Sequence, residues 1–191
     1  MRIIAGEYRG RPLKAPKGSG TRPTTDRVRE ALFSALASAR GGLDGAVVLD
    51  AFAGSGALSF EALSRGAAAA HLFERDRSAL AVLSGNAKAL GLSSARARIH
   101  RTDVLKNPPV HAHPPFDLVF LDPPYAYEAA DVLGMVAQLA EAGALAPGVL
   151  VVYEHGADSC DAADAAASNA GLALASRKKY GDTVVDILRR A

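Results

Sequence analysis

The fold of this chain is decided by residues 47–56, which read VVLDAFAGSG. The run from Val47 to Ala51 is apolar apart from Asp50, and this pattern is typical of a strand buried on both faces of a parallel sheet. A turn containing Gly54 and Gly56 follows and leads into a helical stretch. Strand, glycine-rich turn and helix in this order indicate the start of a βαβ unit, in which bare backbone can approach a ligand closely.

The same alternation of short apolar runs and helical stretches continues along the chain. Strand-like runs lie at 70–74, 98–101, 116–121 and 148–154, with helical stretches at 57–65, 77–90, 128–141 and 161–170. This order predicts a doubly wound α/β fold with a mostly parallel sheet. Two further runs, 172–179 and 183–188, flank Tyr180-Gly181-Asp182, so the sheet is expected to have seven strands and to end in an antiparallel hairpin.

The amino-terminal residues differ from the rest of the chain. Residues 1–16 combine Ile, Tyr and Leu with Gly6, Gly10 and Pro12, which predicts a short β-hairpin, and residues 16–24 are typical of a flexible loop. A helix is predicted next, with Thr25 as its N-cap and Gly41 at its end. We therefore divide the chain into a basic extension, 1–24, and a single α/β domain, 25–191.

Charge is distributed unevenly along the 191 residues. Residues 1–30 carry eight Arg or Lys against three Asp or Glu, whereas the chain as a whole has a net charge of only +2. A basic arm on a mildly acidic body suggests that a polyanion is held at one edge. The single cysteine, Cys160, cannot form an internal disulfide, and neither an export signal nor a membrane span is apparent. We expect a cytoplasmic protein with no membrane partner.

The first strand and its turn predict a cofactor site. Glu74 lies 20 residues after Gly54, where an acid accepts hydrogen bonds from ribose hydroxyls. Ser59 at the third glycine position and Asp50 beside the turn disfavour NAD, because Asp50 would repel a pyrophosphate. S-adenosylmethionine, which has a ribose, an ammonium and a sulfonium but no phosphate, fits instead. The alternative is an ordinary tight turn, and Asp103, after the third strand, is either an adenine contact or a cap.

The fourth strand is followed by Asp122-Pro123-Pro124-Tyr125. Consecutive prolines lack N–H donors, so this stretch forms a stiff ledge of carbonyl oxygens and the Asp122 carboxylate. Such an acceptor-only ledge suits an exocyclic NH₂ group on a planar ring, and Tyr125 offers a face on which the ring can stack. The alternative is that the motif simply ends a strand and Tyr125 packs locally.

These motifs resemble a known enzyme family. Asp50-x-Phe52-x-Gly54-x-Gly56 together with Asp122 to Tyr125 is similar to the class I S-adenosylmethionine-dependent methyltransferases that act on exocyclic amino nitrogens of bases. The stretches MRIIAGEYRGRPLKAP (1–16), TRPTTDRVREALFS (21–34) and KKYGDT (178–183) are similar to the bacterial 16S ribosomal RNA guanine-N2 methyltransferases. The resemblance covers almost the whole chain. Asp122 departs from many relatives outside this subfamily, which have Asn there, but an ionised Asp still accepts from an amine.

The resemblance implies a role for each matching position. It places the methionine part of the cofactor at Asp50, Phe52, Ala53, Gly54, Ser55 and Gly56, the ribose at Glu74 and the adenine at Asp103. It places the target guanine at Asp122, Pro123, Pro124 and Tyr125, and RNA at Arg9, Arg11, Lys14, Lys17, Arg22 and Thr24. The implied partner is small-subunit ribosomal RNA, within an assembled or partly assembled 30S subunit, and the protein is expected to be a monomer.

No metal is expected in the reaction, and His111 and His113 lack the cysteines or carboxylates that would indicate a metal site. Arg177, Lys178 and Lys179 are interpreted equally well as RNA contacts or as the solvated face of an edge strand. Three other functions stay open at this point: methylation of DNA or another RNA, RNA binding without catalysis, and NAD-dependent oxidoreduction. The chain leaves little room for the target-recognition domain that DNA adenine methyltransferases usually need.

Overall fold

A computed structural model of the chain describes residues 1–16, 26–124 and 126–190. Its helices and strands follow one another as α1 (Asp26–Arg40), β1 (Val47–Asp50), α2 (Ala57–Ser64), β2 (Ala69–Phe73), α3 (Arg77–Ala89), β3 (Ala97–His100), β4 (Phe116–Leu121), α4 (Ala129–Glu141), β5 (Leu145–Gly156), α5 (Cys160–Asn169), β6 (Leu172–Tyr180) and β7 (Thr183–Arg190). These elements form two compact units, residues 1–103 and residues 104–191. The proposed division into an extension and one domain stays a prediction, because its boundary falls outside the described residues.

In the first unit, β1, β2 and β3 are parallel, with β2 in the middle. Val47 lies opposite Ala69 in β2, and Ala70 lies opposite Ala97 in β3. All four residues of β1 are buried. Because parallel strands need a crossover, α2 and α3 each connect one strand to the next. The carboxyl ends of all three strands therefore lie at one edge, where Asp50 ends β1, Glu74 follows β2 and the residues after His100 follow β3.

In the second unit, β4 and β5 are parallel, whereas β7 runs antiparallel to both β5 and β6. Strand β5 begins three residues before the predicted start, although this adds Pro147 to it. The ladder with β4 shifts register between Phe116 and Leu118, and an irregularity of this kind tolerates a proline. Gly181 and Asp182 form the predicted hairpin turn, since Tyr180 pairs with Thr183.

The strand order of the sheet is β3-β2-β1-β4-β5-β7-β6. The predicted α/β fold class, with seven strands and an antiparallel carboxyl-terminal edge, is confirmed. Among the described residues, no helix combines the length and the apolar character that a membrane crossing requires.

The helices begin and end where their sequences predict. Asp76 caps α3, and its carboxylate accepts hydrogen bonds from the backbone N–H groups of Ser78 and Ala79. Gly41, with φ of 82°, follows the last turn of α1. That left-handed conformation suits glycine at the end of a helix. Thr25, the predicted N-cap of α1, lies outside the described residues.

The amino-terminal segment, residues 1–16, forms a short hairpin, as its sequence predicts. Arg2 and Pro12 form an antiparallel bridge, and backbone hydrogen bonds between residues 1–3 and 10–13 flank it. Beyond this pairing the backbone binds side chains of α2: the buried Glu61 carboxylate accepts from the N–H groups of Ile4 (2.8 Å) and Ala5 (3.1 Å). These bonds satisfy backbone donors that the short pairing does not use, and they fasten the segment to the first unit.

Ser64 provides a second attachment for the amino-terminal segment. Its hydroxyl donates to the carbonyl of Ala5 (2.5 Å) and accepts from the N–H of Tyr8 (2.9 Å), and its own carbonyl accepts from the N–H of Glu7 (2.7 Å). Gly6 lies between these contacts with φ of +84°, and a Cβ placed there would overlap the Ser64 carbonyl oxygen. The segment therefore approaches α2 too closely to accept any side chain at position 6.

The carboxyl-terminal hairpin is fixed by buried charge. Asp186 of β7 is 1% exposed and binds the guanidinium of Arg177 through both carboxylate oxygens, each at 2.7 Å, while His155 Nε2 lies 3.0 Å from it. Burial alone would raise the pKa of Asp186, but hydrogen bonds and charge from Arg177 and His155 outweigh it and lower that pKa. Arg177 also binds Asp164 of α5 (2.6 Å). Arg177 thus has a structural role in the hairpin.

Gly6→Ala is expected to destabilise the protein more than Gly10→Ala. The two glycines have nearly the same φ, +84° and +82°, but a Cβ at position 10 meets nothing within 4 Å. Both variants suffer the left-handed strain of about 1–2 kcal/mol, and only Gly6→Ala must also break contacts with Ser64. Urea unfolding measures the difference between the two free energies of unfolding. Equal changes in the two variants would show that the close approach at Ser64 does not contribute to stability.

Candidate functional site

The glycine-rich turn between β1 and α2 is folded by its own backbone. The N–H of Ala53 donates to the carbonyl of Phe73 in β2 (2.9 Å), and the N–H of Gly56 donates to the carbonyl of Ala53 (2.7 Å). Gly56 has φ of +81°, and a Cβ there would overlap the Phe60 ring. Gly54 also has a positive φ, 54°, but its surroundings are open. Conformation therefore favours glycine at both positions, and space requires it at Gly56 alone.

Glu74 joins this turn to the end of β2. One oxygen of its carboxylate accepts from the N–H of Gly54 (2.9 Å), and the other accepts from the N–H of Asp76 (2.7 Å). A carboxylate offers about four lone-pair sites, so each oxygen can accept a further hydrogen bond. The carboxylate is therefore oriented by backbone and still able to accept from a pair of vicinal hydroxyls. This geometry fits the ribose role, which stays a prediction.

Asp50 and Ser59 form a buried pair beneath the turn. Asp50 is 2% exposed and Ser59 is fully buried, and the Ser59 hydroxyl donates to the Asp50 carboxylate at 2.8 Å. Ser59 is the position at which a dinucleotide-binding turn has its third glycine, and here its hydroxyl stabilises a buried acid. The pair explains why a serine can replace glycine at this position: the carboxylate beside the turn needs a donor.

Asp103 lies at the carboxyl end of β3, and its side chain is paired with the residue next to Glu74. Its carboxylate accepts from the Arg75 guanidinium at 3.1 Å, and the Arg75 side chain is largely exposed. The structure therefore brings the turn, Glu74, Arg75 and Asp103 together along one edge of the first unit. The adenine role of Asp103 stays a prediction, as do the cofactor contacts of Phe52, Ala53 and Ser55.

Asn86 in α3 was not predicted as a functional residue, although it contacts two of the predicted segments. It is 2% exposed, and its carboxamide NH₂ donates to the carbonyls of Ser55 in the glycine-rich turn and Lys14 in the amino-terminal segment, both at 2.9 Å. Its oxygen accepts from the N–H of Lys14, also at 2.9 Å. A single asparagine in a helical stretch gives no signal of such contacts in the sequence.

A second contact was also missed. The Ser55 hydroxyl lies 3.7 Å from the sulfur of Met1, and the same sulfur lies 3.6 Å from a guanidinium nitrogen of Arg29. Arg29 is 1% exposed and is held by the carbonyl of Arg2 (2.6 Å) and by Asp26 (2.9 Å), while its Nε lacks a hydrogen-bond partner among the described residues. The glycine-rich turn therefore touches the amino-terminal segment on two sides.

In the second unit, β4 leads into the predicted acceptor ledge. Pro123 is buried and Pro124 is exposed. The carbonyl of Pro124 accepts from the N–H of Tyr127 (3.0 Å), so one ledge carbonyl already belongs to a turn. Burial raises the pKa of Asp122 from its ordinary 3.8 to about 6. Tyr125 lies outside the described residues, and its stacking role stays a prediction.

The predicted RNA contacts lie on the amino-terminal segment. Arg9, Arg11 and Lys14 are exposed, and Arg11 also reaches the carbonyl of Ala89 at the end of α3 (3.4 Å). Lys17, Arg22 and Thr24 lie outside the described residues. Of the three basic residues left open on β6, Arg177 is engaged with Asp186 and Asp164, whereas Lys178 and Lys179 are exposed. In the described parts of the chain, no three His, Cys, Asp or Glu side chains are grouped so as to hold a metal ion.

Comparison with known proteins places the whole chain in one family. The sequence pattern described as Conserved hypothetical protein 95 matches residues 1–189. The Ribosomal RNA small subunit methyltransferase D of Haemophilus influenzae is 40% identical over 157 residues, 81% of this chain and 78% of that protein. The protein of the same description from Escherichia coli strain K12 is 45% identical over 125 residues, 65% of this chain and 60% of that protein.

The fold is shared with solved structures of similar sequence. The candidate methyltransferase yhhF of Escherichia coli superposes with a TM-score of 0.80 at 35% identity, covering 100% of this chain and 97% of that chain. The hypothetical protein TTHA0928 of Thermus thermophilus has a TM-score of 0.76 at 31% identity and 98% coverage of both chains. The similarity therefore extends over both compact units.

The carboxyl group of Asp122 is expected to titrate near pH 6 in the free protein. Burial disfavours the charged form, so the group loses its O–H donor and becomes a charged carboxylate only as the pH rises through this value. Carbon NMR of labelled aspartate measures the midpoint, and Asp122→Asn identifies the resonance. A midpoint near the ordinary 3.8 would show that the Asp122 carboxyl is solvated.

Proposed function

This chain belongs to the family described as Conserved hypothetical protein 95, and from that premise we propose that it methylates small-subunit ribosomal RNA. The reaction is transfer of the methyl group of S-adenosylmethionine to the exocyclic N2 of a guanine. The observation that carries the proposal is Glu74, whose carboxylate is bound on both sides by backbone N–H groups beside the glycine-rich turn. A ribose-bearing ligand finds an acceptor there that needs no rearrangement.

The residues of the turn fit a cationic nucleoside better than a dinucleotide. The Asp50 carboxylate is buried next to the turn and stabilised by Ser59. A pyrophosphate would meet a negative charge there, whereas an ammonium or sulfonium is favoured. When bound, S-adenosylmethionine supplies a methyl group already activated by its sulfonium, so the chain itself needs neither a covalent intermediate nor a metal. NAD-dependent oxidoreduction is disfavoured for the same reason.

Asp122 is proposed to receive the guanine amine. Its carboxylate, once ionised, accepts a hydrogen bond from the NH₂ group, and the stiff Pro123-Pro124 backbone limits how far the acceptor can move. Methyl transfer places positive charge on the nitrogen, and a carboxylate in a buried environment stabilises that charge strongly. Tyr125 is proposed to stack on the guanine ring, which holds the amine in position.

RNA is proposed to bind along the amino-terminal segment. Arg9, Arg11 and Lys14 project exposed cations from a backbone that is firmly held by α2 and α3. Because the backbone is already held, binding phosphates costs little backbone entropy. The guanine must also leave its stack to reach a catalytic pocket. We propose that RNA also contacts Lys17, Arg22 and Thr24. The partner is the 30S subunit, complete or partly assembled, and the enzyme acts as a cytoplasmic monomer.

Methyl transfer to 30S subunits from cells lacking this protein tests the proposal. With labelled S-adenosylmethionine, wild-type protein is expected to give N2-methylguanosine at one site, and Asp122→Ala is expected to lower the rate at least about 100-fold. Asp122→Ala should bind S-adenosylhomocysteine as wild type does, because Asp122 faces the base. If the labelled methyl group is transferred to free RNA, DNA or protein but not to the 30S subunit, the substrate proposed here is wrong.

Glu74→Ala removes the other carboxylate and is the matched variant. Unlike Asp122→Ala, it is expected to weaken cofactor binding. Its affinity for S-adenosylhomocysteine is expected to fall, measured by calorimetry, because the ribose hydroxyls lose their acceptor. Methyl transfer should recover partly at high cofactor concentration, which Asp122→Ala cannot do. An unchanged dissociation constant for Glu74→Ala would remove Glu74 from the ribose role.

Replacing Arg9 and Arg11 by Ala should weaken RNA binding and reduce its salt dependence. For every phosphate of single-stranded RNA that the protein no longer neutralises, the slope of log K against log salt concentration falls by about 0.7. Lys178→Ala with Lys179→Ala removes the same charge from exposed positions on β6, and is expected to leave the slope unchanged. Filter binding over a salt series measures both slopes. Equal slopes for the two double variants would contradict the assignment of the amino-terminal segment.

A further inference from the structure

Asn86 is a buried carboxamide placed between two segments with separate proposed roles. Three hydrogen bonds of 2.9 Å join it to the N–H and carbonyl of Lys14 and to the carbonyl of Ser55. Lys14 belongs to the segment proposed to bind RNA, and Ser55 belongs to the turn proposed to bind the cofactor. Asn86 contacts both through backbone atoms, so these contacts do not depend on which side chains those two residues carry.

The geometry uses both donors of the Asn86 carboxamide and one lone pair of its oxygen. The NH₂ group has two protons, and each carbonyl it meets accepts one of them, while the amide oxygen receives the Lys14 N–H. Because Asn86 is only 2% exposed, bulk water cannot readily take the place of any of these partners. Moving either segment away would leave a buried polar group without its hydrogen bond, which is energetically costly. The two segments are therefore held in place together.

The other anchors of the amino-terminal segment reinforce this arrangement. Glu61 and Ser64 fasten residues 4–8 to α2, and α2 begins directly after Gly56 of the glycine-rich turn. The Met1 sulfur meets the hydroxyl of the same Ser55 whose carbonyl Asn86 binds. A displacement of the turn would therefore disturb the contacts of the amino-terminal segment at both Met1 and Lys14.

We propose that Asn86 is a positioning residue that couples cofactor binding to RNA binding. The inference rests on the function proposed above. A ligand that holds Ser55 in the arrangement that binds Asn86 also favours the arrangement of Lys14 that presents Arg9 and Arg11. Linkage requires the reverse effect to be equal, so RNA on the segment strengthens cofactor binding by the same factor. The enzyme then binds its RNA more tightly when the methyl donor is in place.

The coupling is measured by the affinity for unmethylated 30S subunits with and without saturating S-adenosylhomocysteine, which binds but cannot react. For wild-type protein the dissociation constant is expected to fall about five-fold or more when the nucleoside is present. For Asn86→Ala the ratio is expected to approach one. Asn169→Ala, at an exposed asparagine that ends α5, is the matched control and should retain the wild-type ratio.

A structural role alone would lower stability without changing this ratio, so thermal unfolding is recorded for each variant. A second measurement needs no variant: amide hydrogen exchange of Lys14, whose N–H donates to Asn86, should slow when S-adenosylhomocysteine binds wild-type protein. Slowing confined to residues 52–56 would overturn the coupling even if Asn86→Ala failed to fold.

The outcomes separate this inference from the proposed function. Wild-type protein that binds both S-adenosylhomocysteine and 30S subunits, with a ratio of one, overturns the coupling and leaves the function standing. An Asn86→Ala ratio equal to that of wild type overturns the role of Asn86 specifically. Wild-type protein that binds neither ligand overturns the proposed function and this inference with it.

Discussion

The hydrogen bond from the Gly54 N–H to the Glu74 carboxylate is the constraint around which the first unit is organised. A turn that must expose backbone to a ligand cannot use all its N–H groups in a helix or ladder, yet buried N–H groups need acceptors. Glu74 provides one from the end of the neighbouring strand and receives a second bond from Asp76. The turn is therefore held in place while its backbone stays accessible to a ligand. The Glu74 carboxylate that holds it can still accept hydrogen bonds from that ligand.

Side chains satisfy backbone groups in the same way along the amino-terminal segment. Glu61 accepts from Ile4 and Ala5, and Asn86 satisfies both backbone groups of Lys14. Removing any of these side chains would leave partly buried backbone groups without their partners, at a cost of up to about 1–3 kcal/mol each. Together with its short antiparallel pairing, these contacts hold the backbone of the amino-terminal segment in place. An anchored backbone suits a role in presenting cations, because little backbone order remains to be gained when RNA binds.

Charge has different roles in the two units. In the second unit, the Arg177 and Asp186 pair lies within the antiparallel hairpin and binds β6, β7 and α5 together. Its carboxylate is held in the charged form by a guanidinium and a histidine, which lower its pKa. Asp122 shows the opposite behaviour, because burial alone raises its pKa to about 6. A carboxylate whose charge is destabilised by burial is stabilised strongly by an amine on which positive charge develops. This agrees with the role proposed for Asp122.

The sequence by itself determined the α/β order of elements, the seven strands, the carboxyl-terminal hairpin and the turn from Asp50 to Gly56, because these depend on local periodicity and on glycine and proline. It also predicted functional roles for Glu74 and Asp122, because each acid directly follows a buried strand at the edge of the sheet where ligands bind. Only the tertiary structure decided that side chains of α2 fasten residues 4–8, and that Asn86 joins Lys14 to Ser55. Those contacts of Asn86 link residues 31 to 72 positions apart. Local sequence patterns carry no record of such distant partners, because a buried polar group is satisfied by whatever the completed fold brings to it.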